Sequence, residues 1–230
     1  MPHSNDRTIV SAAGDGEVRI FDIEYSGRSS VPSSMSNLSA GRRRNIIHNG
    51  VRYLTEGDTN AKVYRSHGDR VKRIVTESSP YFFLTCSEDG EVRQWDIRQP
   101  SSAYPAPRGM RGYHASSEDS VPPPLISYKR YHIDLNTISC SPSQPHYIAL
   151  GGAHLHCFLH DRRMLGRDRL RESGKPISPS GSLSEHDEEL MGQATQCVRK
   201  FAPNGQKRMR RNDSGHITAC KISDANPNEM

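Results

Sequence analysis

Two stretches of this chain align without a gap, and no other feature restricts its possible folds as much. Residues Ile9-Val10-Ser11-Ala12-Ala13-Gly14-Asp15-Gly16-Glu17-Val18-Arg19-Ile20-Phe21-Asp22 match Phe83-Leu84-Thr85-Cys86-Ser87-Glu88-Asp89-Gly90-Glu91-Val92-Arg93-Gln94-Trp95-Asp96 position for position. Each copy opens on β-branched or aromatic residues, breaks at Asp-Gly, and resumes in an alternating run that closes on Asp. That order predicts an antiparallel hairpin in which Asp-Gly supplies the positive φ of a tight turn. A third copy, residues 148–161, keeps the register, with His154 at the turn position and His160 at the tryptophan position. In all three, the closing Asp (Asp22, Asp96, Asp161) follows the turn position by 7 residues. Self-similarity of this kind signals a repeat architecture.

The flanks extend the unit. Ser66-His67-Gly68-Asp69-Arg70 leads into the strand-like Val71-Lys72-Arg73-Ile74-Val75, and a similar run ends at Ile138-Ser139-Cys140-Ser141-Pro142. Near the end, Gly215-His216 precedes Ile217-Thr218-Ala219-Cys220-Lys221-Ile222, which predicts another first strand. Fourth strands are expected at 61–65, 125–131 and 196–202. Four short strands in about 40–45 residues make one blade of a propeller. The closing aspartates lie 74 and 65 residues apart, so material has been inserted. Ser-rich residues 25–41, the Pro-, Ser- and Tyr-rich residues 99–124 and the charged, Ser-rich residues 166–192 read as mobile loops. With 33% hydrophobic and 7% aromatic residues, the chain is too lean for one core that uses every residue.

The expected fold is therefore all-β, a partial WD40 β-propeller of about three blades in an incomplete ring, with long disordered loops. Blades fall in 7–163, with insertions at 25–44 and 99–124; a disordered loop covers 164–195, and a further blade starts in 196–230. Closing a ring takes at least about four blades, so the chain is expected to be part of a longer protein.

Charge and cysteine content narrow the setting. Thirty-one basic against 26 acidic residues give a net charge of +5, much of it in loop-like clusters at 42–44 and 207–211. Such clusters suit acidic partners or nuclear import, and nucleic-acid binding is not expected from them alone. No apolar run approaches a membrane span and the first residues lack the order of a signal peptide, so a cytoplasmic or nuclear protein is expected. Cys86, Cys140, Cys157, Cys197 and Cys220 are odd in number, widely spaced and placed in strand-like runs, as buried free thiols would be.

Three groups of residues bear on chemistry. His67, Ser87 (or Thr85), Asp89 and Trp95 can form a buried hydrogen-bond network in which the carboxylate fixes the imidazole tautomer and each polar atom finds a partner. A catalytic triad is the competing reading; a serine inside a strand, rather than on an exposed turn, argues against it, and no catalysis is expected. His154, His156 and His160 alternate onto one strand face, but no carboxylate or thiolate stands at matching spacing, so neither metal nor cofactor is expected.

The third group follows the third strands. Trp95-Asp96-Ile97-Arg98 and His160-Asp161-Arg162-Arg163 both place Arg two residues after Asp, whereas the first unit ends Asp22-Ile23-Glu24. An arginine at a strand end reaches out from one face of a propeller, its planar fork suited to carboxylates and carbonyls of a partner, with the Asp to orient it. Asp96, Arg98, Asp161 and Arg163 are thus the candidate partner-binding residues.

These two Asp-x-Arg boxes, with His67-Gly68-Asp69-Arg70-Val71-Lys72-Arg73-Ile74 and residues 88–98, resemble the WD-repeat substrate receptors of cullin-4 RING ubiquitin ligases. Within them the chain is most similar to the WD and tetratricopeptide repeats protein group, over residues 8–163 and less closely over 197–223. The resemblance implies that Asp96 with Arg98 and Asp161 with Arg163 contact the ligase's propeller adaptor, a damage-specific DNA-binding protein subunit, and that the receptor brings an unknown protein substrate to it. His160 departs from the pattern, standing where an aromatic precedes the box. A general WD40 scaffold in another intracellular complex is the alternative.

Overall fold

A computed structural model of the chain describes residues 7–23, 46–48, 51–53, 61–76, 79–107, 122–141, 143–166, 184–202 and 215–223. The predicted insert at 25–44, the basic clusters at 42–44 and 207–211, and most of 166–192 lie outside the described residues.

The three repeats fold as three antiparallel sheets. In the first, β1 (Thr8–Ala12), β2 (Val18–Asp22) and β5 (Lys62–Tyr64) lie in that order, and a small hairpin of β3 (Ile46–His48) and β4 (Val51–Tyr53) falls between β2 and β5 in sequence. The second blade holds β6 (Val71–Thr76), β7 (Phe82–Ser87), β8 (Glu91–Asp96) and β9 (Ile126–Ser127). The third holds β10 (Leu135–Cys140), β11 (Tyr147–Gly152), β12 (Cys157–Asp161) and β13 (Cys197–Phe201). The expected partial WD40 β-propeller is the fold observed.

The Asp-Gly turns divide their labour. Gly16 and Gly90 take φ of 77° and 78°, while Asp15 and Asp89 each accept the backbone N–H two residues on, from Glu17 and Glu91, at 2.9 Å. Glycine is also required by contact: a Cβ on Gly90 would stand 2.8 Å from the Lys129 nitrogen, and one on Gly16 would stand 3.2 Å from the Asp69 carbonyl oxygen. Each turn thus packs against the segment that enters the following blade, so the repeat fixes both the hairpin and the stacking.

Two apolar clusters fill the spaces between blades. Val18, Ile20 and Tyr64 of the first meet Val71, Phe83 and Trp95 of the second. Leu84, Cys86, Val92 and Ile126 of the second meet Leu135, Ile138, Ile148, Leu150 and Phe158 of the third. Strand residues alternate between faces, so each sheet serves both neighbours.

Four expectations need correction. Residues 99–107 are not a mobile loop: a 3-10 turn at Ser101–Ala103 brings Tyr104 to 5.0 Å from the Trp95 ring, and Ser101 Oγ accepts the Val63 N–H. The expected disordered loop at 164–195 contains helix α1 (Glu185–Ala194), whose Ser184 and Asp187 form a reciprocal N-cap. The fourth strand expected at 125–131 pairs only over Ile126–Ser127 before a 3-10 turn at Lys129–Tyr131. Finally, 217–222 is extended but forms no strand; it is tied to the third blade by Ile217 N–H to the Gly152 carbonyl (2.9 Å) and Ile222 N–H to Ser139 Oγ (3.0 Å). All five cysteines are free, with Cys86 buried and the others partly so; burial pushes the Cys86 thiol up to about 12.

Candidate functional site

Inside the second blade, a chain of hydrogen bonds joins the loop before β6 to β7 and β8. Trp95 Nε1 donates to Thr85 Oγ1 at 2.7 Å, Thr85 Oγ1 lies 2.7 Å from His67 Nε2, and His67 Nδ1 lies 2.8 Å from Asp89 Oδ2. One proton arrangement satisfies all four: Nδ1–H faces the carboxylate, and Nε2 accepts the threonine proton. Burial raises the Asp89 pKa, but the hydrogen bond from His67 and the Gly68 and Glu91 amides outweigh it and hold the carboxyl below its ordinary value.

The hydroxyl of this network is that of Thr85, not Ser87. Ser87 faces the turn, where its Oγ donates to the Asp69 carbonyl (3.0 Å) and accepts the Asp89 N–H (3.1 Å). The Thr85-His67-Asp89 spacing imitates a nucleophilic triad, yet the hydroxyl is fully buried and its oxygen already receives the indole proton, so no substrate carbonyl can reach it.

The third blade reverses the roles. His154 occupies the turn position of Asp89, and its carboxylate comes from α1: His154 Nε2 lies 2.9 Å from Glu188 Oε1. Lys200 Nζ donates to Glu188 Oε2 (3.0 Å), and His156 Nδ1 lies 3.7 Å from the same oxygen. These groups hold the buried Glu188 carboxyl well below the ordinary carboxylate range. His154, His156 and Glu188 form a cluster of metal-ligand types that the sequence does not reveal, because Glu188 is 34 residues from His154. Two observations make it an ion-pair cluster. The His156 backbone N–H donates to His154 Nδ1 at 3.1 Å, so the His154 Nε2–H faces the Glu188 carboxylate, and Lys200 brings a cation of its own. His160, the third histidine of the strand face, stays apart: its Nε2 meets the Tyr128 hydroxyl at 2.9 Å, and burial lowers its pKa to about 4.

At the opposite end of β12 and β8 stand the Asp-x-Arg boxes. Asp96 faces Phe82 and Asp161 faces Tyr147, so both occupy the last rung of the same strand pair in successive blades. Arg98 donates through Nε (2.9 Å) and Nη2 (2.8 Å) to the two oxygens of Asp96, and Arg163 does the same to Asp161 at 3.0 and 2.6 Å. In each box the Asp carboxylate also caps the Arg backbone N–H, at 3.0 Å. The carboxylates are sunk while the guanidiniums project: side-chain exposure is 12% against 56% in the first box and 8% against 65% in the second. Each arginine holds its partner carboxyl below the ordinary value, Asp161 to about 2.

The rung is held firmly. The Asp96 N–H donates to the Tyr104 hydroxyl and the Asp96 carbonyl accepts from the Tyr64 hydroxyl, both at 3.0 Å. Arg162, between the two members of the second box, hydrogen-bonds Gln94 beside the first, so the boxes share one edge. Tyr81, under the Arg98 guanidinium at 4.7 Å, and Met164, beside Arg163, are among the large apolar residues left exposed. Arginine, aromatic and methionine side chains together are the composition of a protein interface.

Comparison with known proteins agrees with the WD40 fold. The WD40 family, described as "WD domain, G-beta repeat", matches residues 59–96. The chain is 33% identical over 231 residues to the WD repeat protein iqw1 of Schizosaccharomyces pombe, with 100% of this chain and 23% of that protein aligned. It is 25% identical to the human DDB1- and CUL4-associated factor 6 (72% of this chain, 14% of that protein) and 21% identical to the human WD and tetratricopeptide repeats protein 1 (85% and 22%). The chain thus spans less than a quarter of the length of these relatives.

Proposed function

We propose that this WD40 protein-interaction module forms part of a substrate receptor for a cullin-4 RING ubiquitin ligase, docking the ligase's propeller adaptor through Arg98 and Arg163. The observation that carries the reading is the pair of matched boxes: two exposed guanidiniums, each fixed in a bidentate pair by a buried carboxylate, on one edge of adjoining blades. Fixing the forks beforehand removes much of the side-chain entropy that an interface arginine otherwise loses on binding. One relative is a DDB1- and CUL4-associated factor, which supports the choice of partner. No residue of the chain acts as a catalyst in this reading, and specificity for the protein substrate resides in other propeller surfaces.

The test is co-purification of the full-length protein with the cullin-4 adaptor. Arg98→Ala combined with Arg163→Ala abolishes it, whereas Arg19→Ala, in a strand interior and paired with Asp15 and Glu17, does not. Adaptor binding retained in the double variant rules out these contacts. A full-length protein that never binds the adaptor is instead a scaffold of another complex.

A further inference from the structure

The first blade lacks an Asp-x-Arg box in sequence, yet its closing aspartate is paired in the same way. Arg7 donates through Nε to Asp22 Oδ1 and through Nη2 to Asp22 Oδ2, both at 3.0 Å, the same atoms that Arg98 and Arg163 use. Here the guanidinium comes from across the sheet, from the residue before β1, instead of from two positions downstream.

The rung is equivalent. Asp22 faces Thr8 as Asp96 faces Phe82 and Asp161 faces Tyr147. The next residue closes each rung with one backbone bond: Ile23 N–H to the Arg7 carbonyl (2.8 Å), Ile97 to Tyr81 (3.0 Å), and Arg162 to His146 (2.8 Å). Arg7 therefore stands where Tyr81 underlies Arg98, and all three blades end in a carboxylate-held fork at the same level. Its side chain is 54% exposed, like those of Arg98 and Arg163, and Ile23 beside it is 55% exposed.

We infer that Arg7, oriented by Asp22, is a third contact of the same docking edge, so that the partner surface spans three blades. This rests on the adaptor-docking reading above. The partner chemistry it fits is a protein face bearing carboxylates or carbonyls beside apolar side chains, as the forks and Tyr81, Met164 and Ile23 require. Exposed ion pairs contribute little to stability, so removing Arg7 leaves the fold intact and isolates its part in binding.

The experiment measures affinity of the full-length protein for the purified cullin-4 adaptor, with melting temperature recorded for each variant. Arg7→Ala weakens binding about five- to tenfold, the effect of a partly exposed charged contact, at an unchanged melting temperature. Wild-type affinity in Arg7→Ala, with binding still lost in Arg98→Ala/Arg163→Ala, overturns the third contact and leaves the two boxes standing. A loss that merely tracks a lower melting temperature also overturns it. Undiminished binding by Arg98→Ala/Arg163→Ala removes the docking reading itself, and the third contact with it.

Discussion

Replacing Thr85 with valine keeps the shape of the side chain and deletes the one oxygen on which two buried nitrogens depend. Trp95 Nε1–H loses its acceptor and His67 Nε2 loses its donor, and both atoms lie where water cannot substitute. An orphaned buried polar group costs about 1–3 kcal/mol, so Thr85→Val destabilises the protein by about 2–6 kcal/mol. Ser87→Ala also removes two hydrogen bonds, but to part-buried backbone groups at a turn, and costs only about 1 kcal/mol. Urea unfolding followed through the fluorescence of Trp95, the one tryptophan of this sequence, reads both. A Ser87→Ala cost equal to or above that of Thr85→Val refutes the assignment of the network.

Two further perturbations probe the third blade. Because burial lowers the His160 pKa from 6.5 to about 4, the unfolded chain takes up a proton through that window and the folded one does not; stability falls by about 2 kcal/mol between pH 7 and pH 5. His160→Phe flattens that slope in urea titrations at the two pH values; an unchanged slope contradicts it, since the depressed carboxylates Asp89 and Glu188 lose their contribution only at lower pH. Glu188→Gln removes the carboxylate charge that faces Lys200 and His154, costs about 3 kcal/mol as a broken buried pair does, and raises amide exchange across 185–194; unchanged protection there would show that the helix is held by other contacts.

Most of the fold was legible because a hairpin with a fixed turn position leaves a fixed interval in sequence, here the 7 residues from turn to closing Asp. The choice between Thr85 and Ser87 was not, since residues two apart on a strand share a face and only the approach of His67 separates them. Helix α1 is hidden in the sequence because its surroundings read as charged loop, although Ser184-Glu185-His186-Asp187 carries a capping-box signal. Glu188 could not be joined to His154 without that helix. Tyr104 was hidden likewise: averaged over residues 99–124 the composition is that of a loop, while one tyrosine packs on Trp95. The two boxes were visible as adjacent letters; the Arg7–Asp22 pair was not, because it forms across a ladder between residues 15 apart.

The most direct measurement is hydrogen–deuterium exchange of the full-length protein with and without the purified cullin-4 adaptor. Docking through the boxes predicts new protection at 96–104 and 161–165 with none at 185–194, since α1 sits at the turn end of β12 and the boxes at the other. Protection confined to α1, with the box segments exchanging as in the free protein, contradicts it.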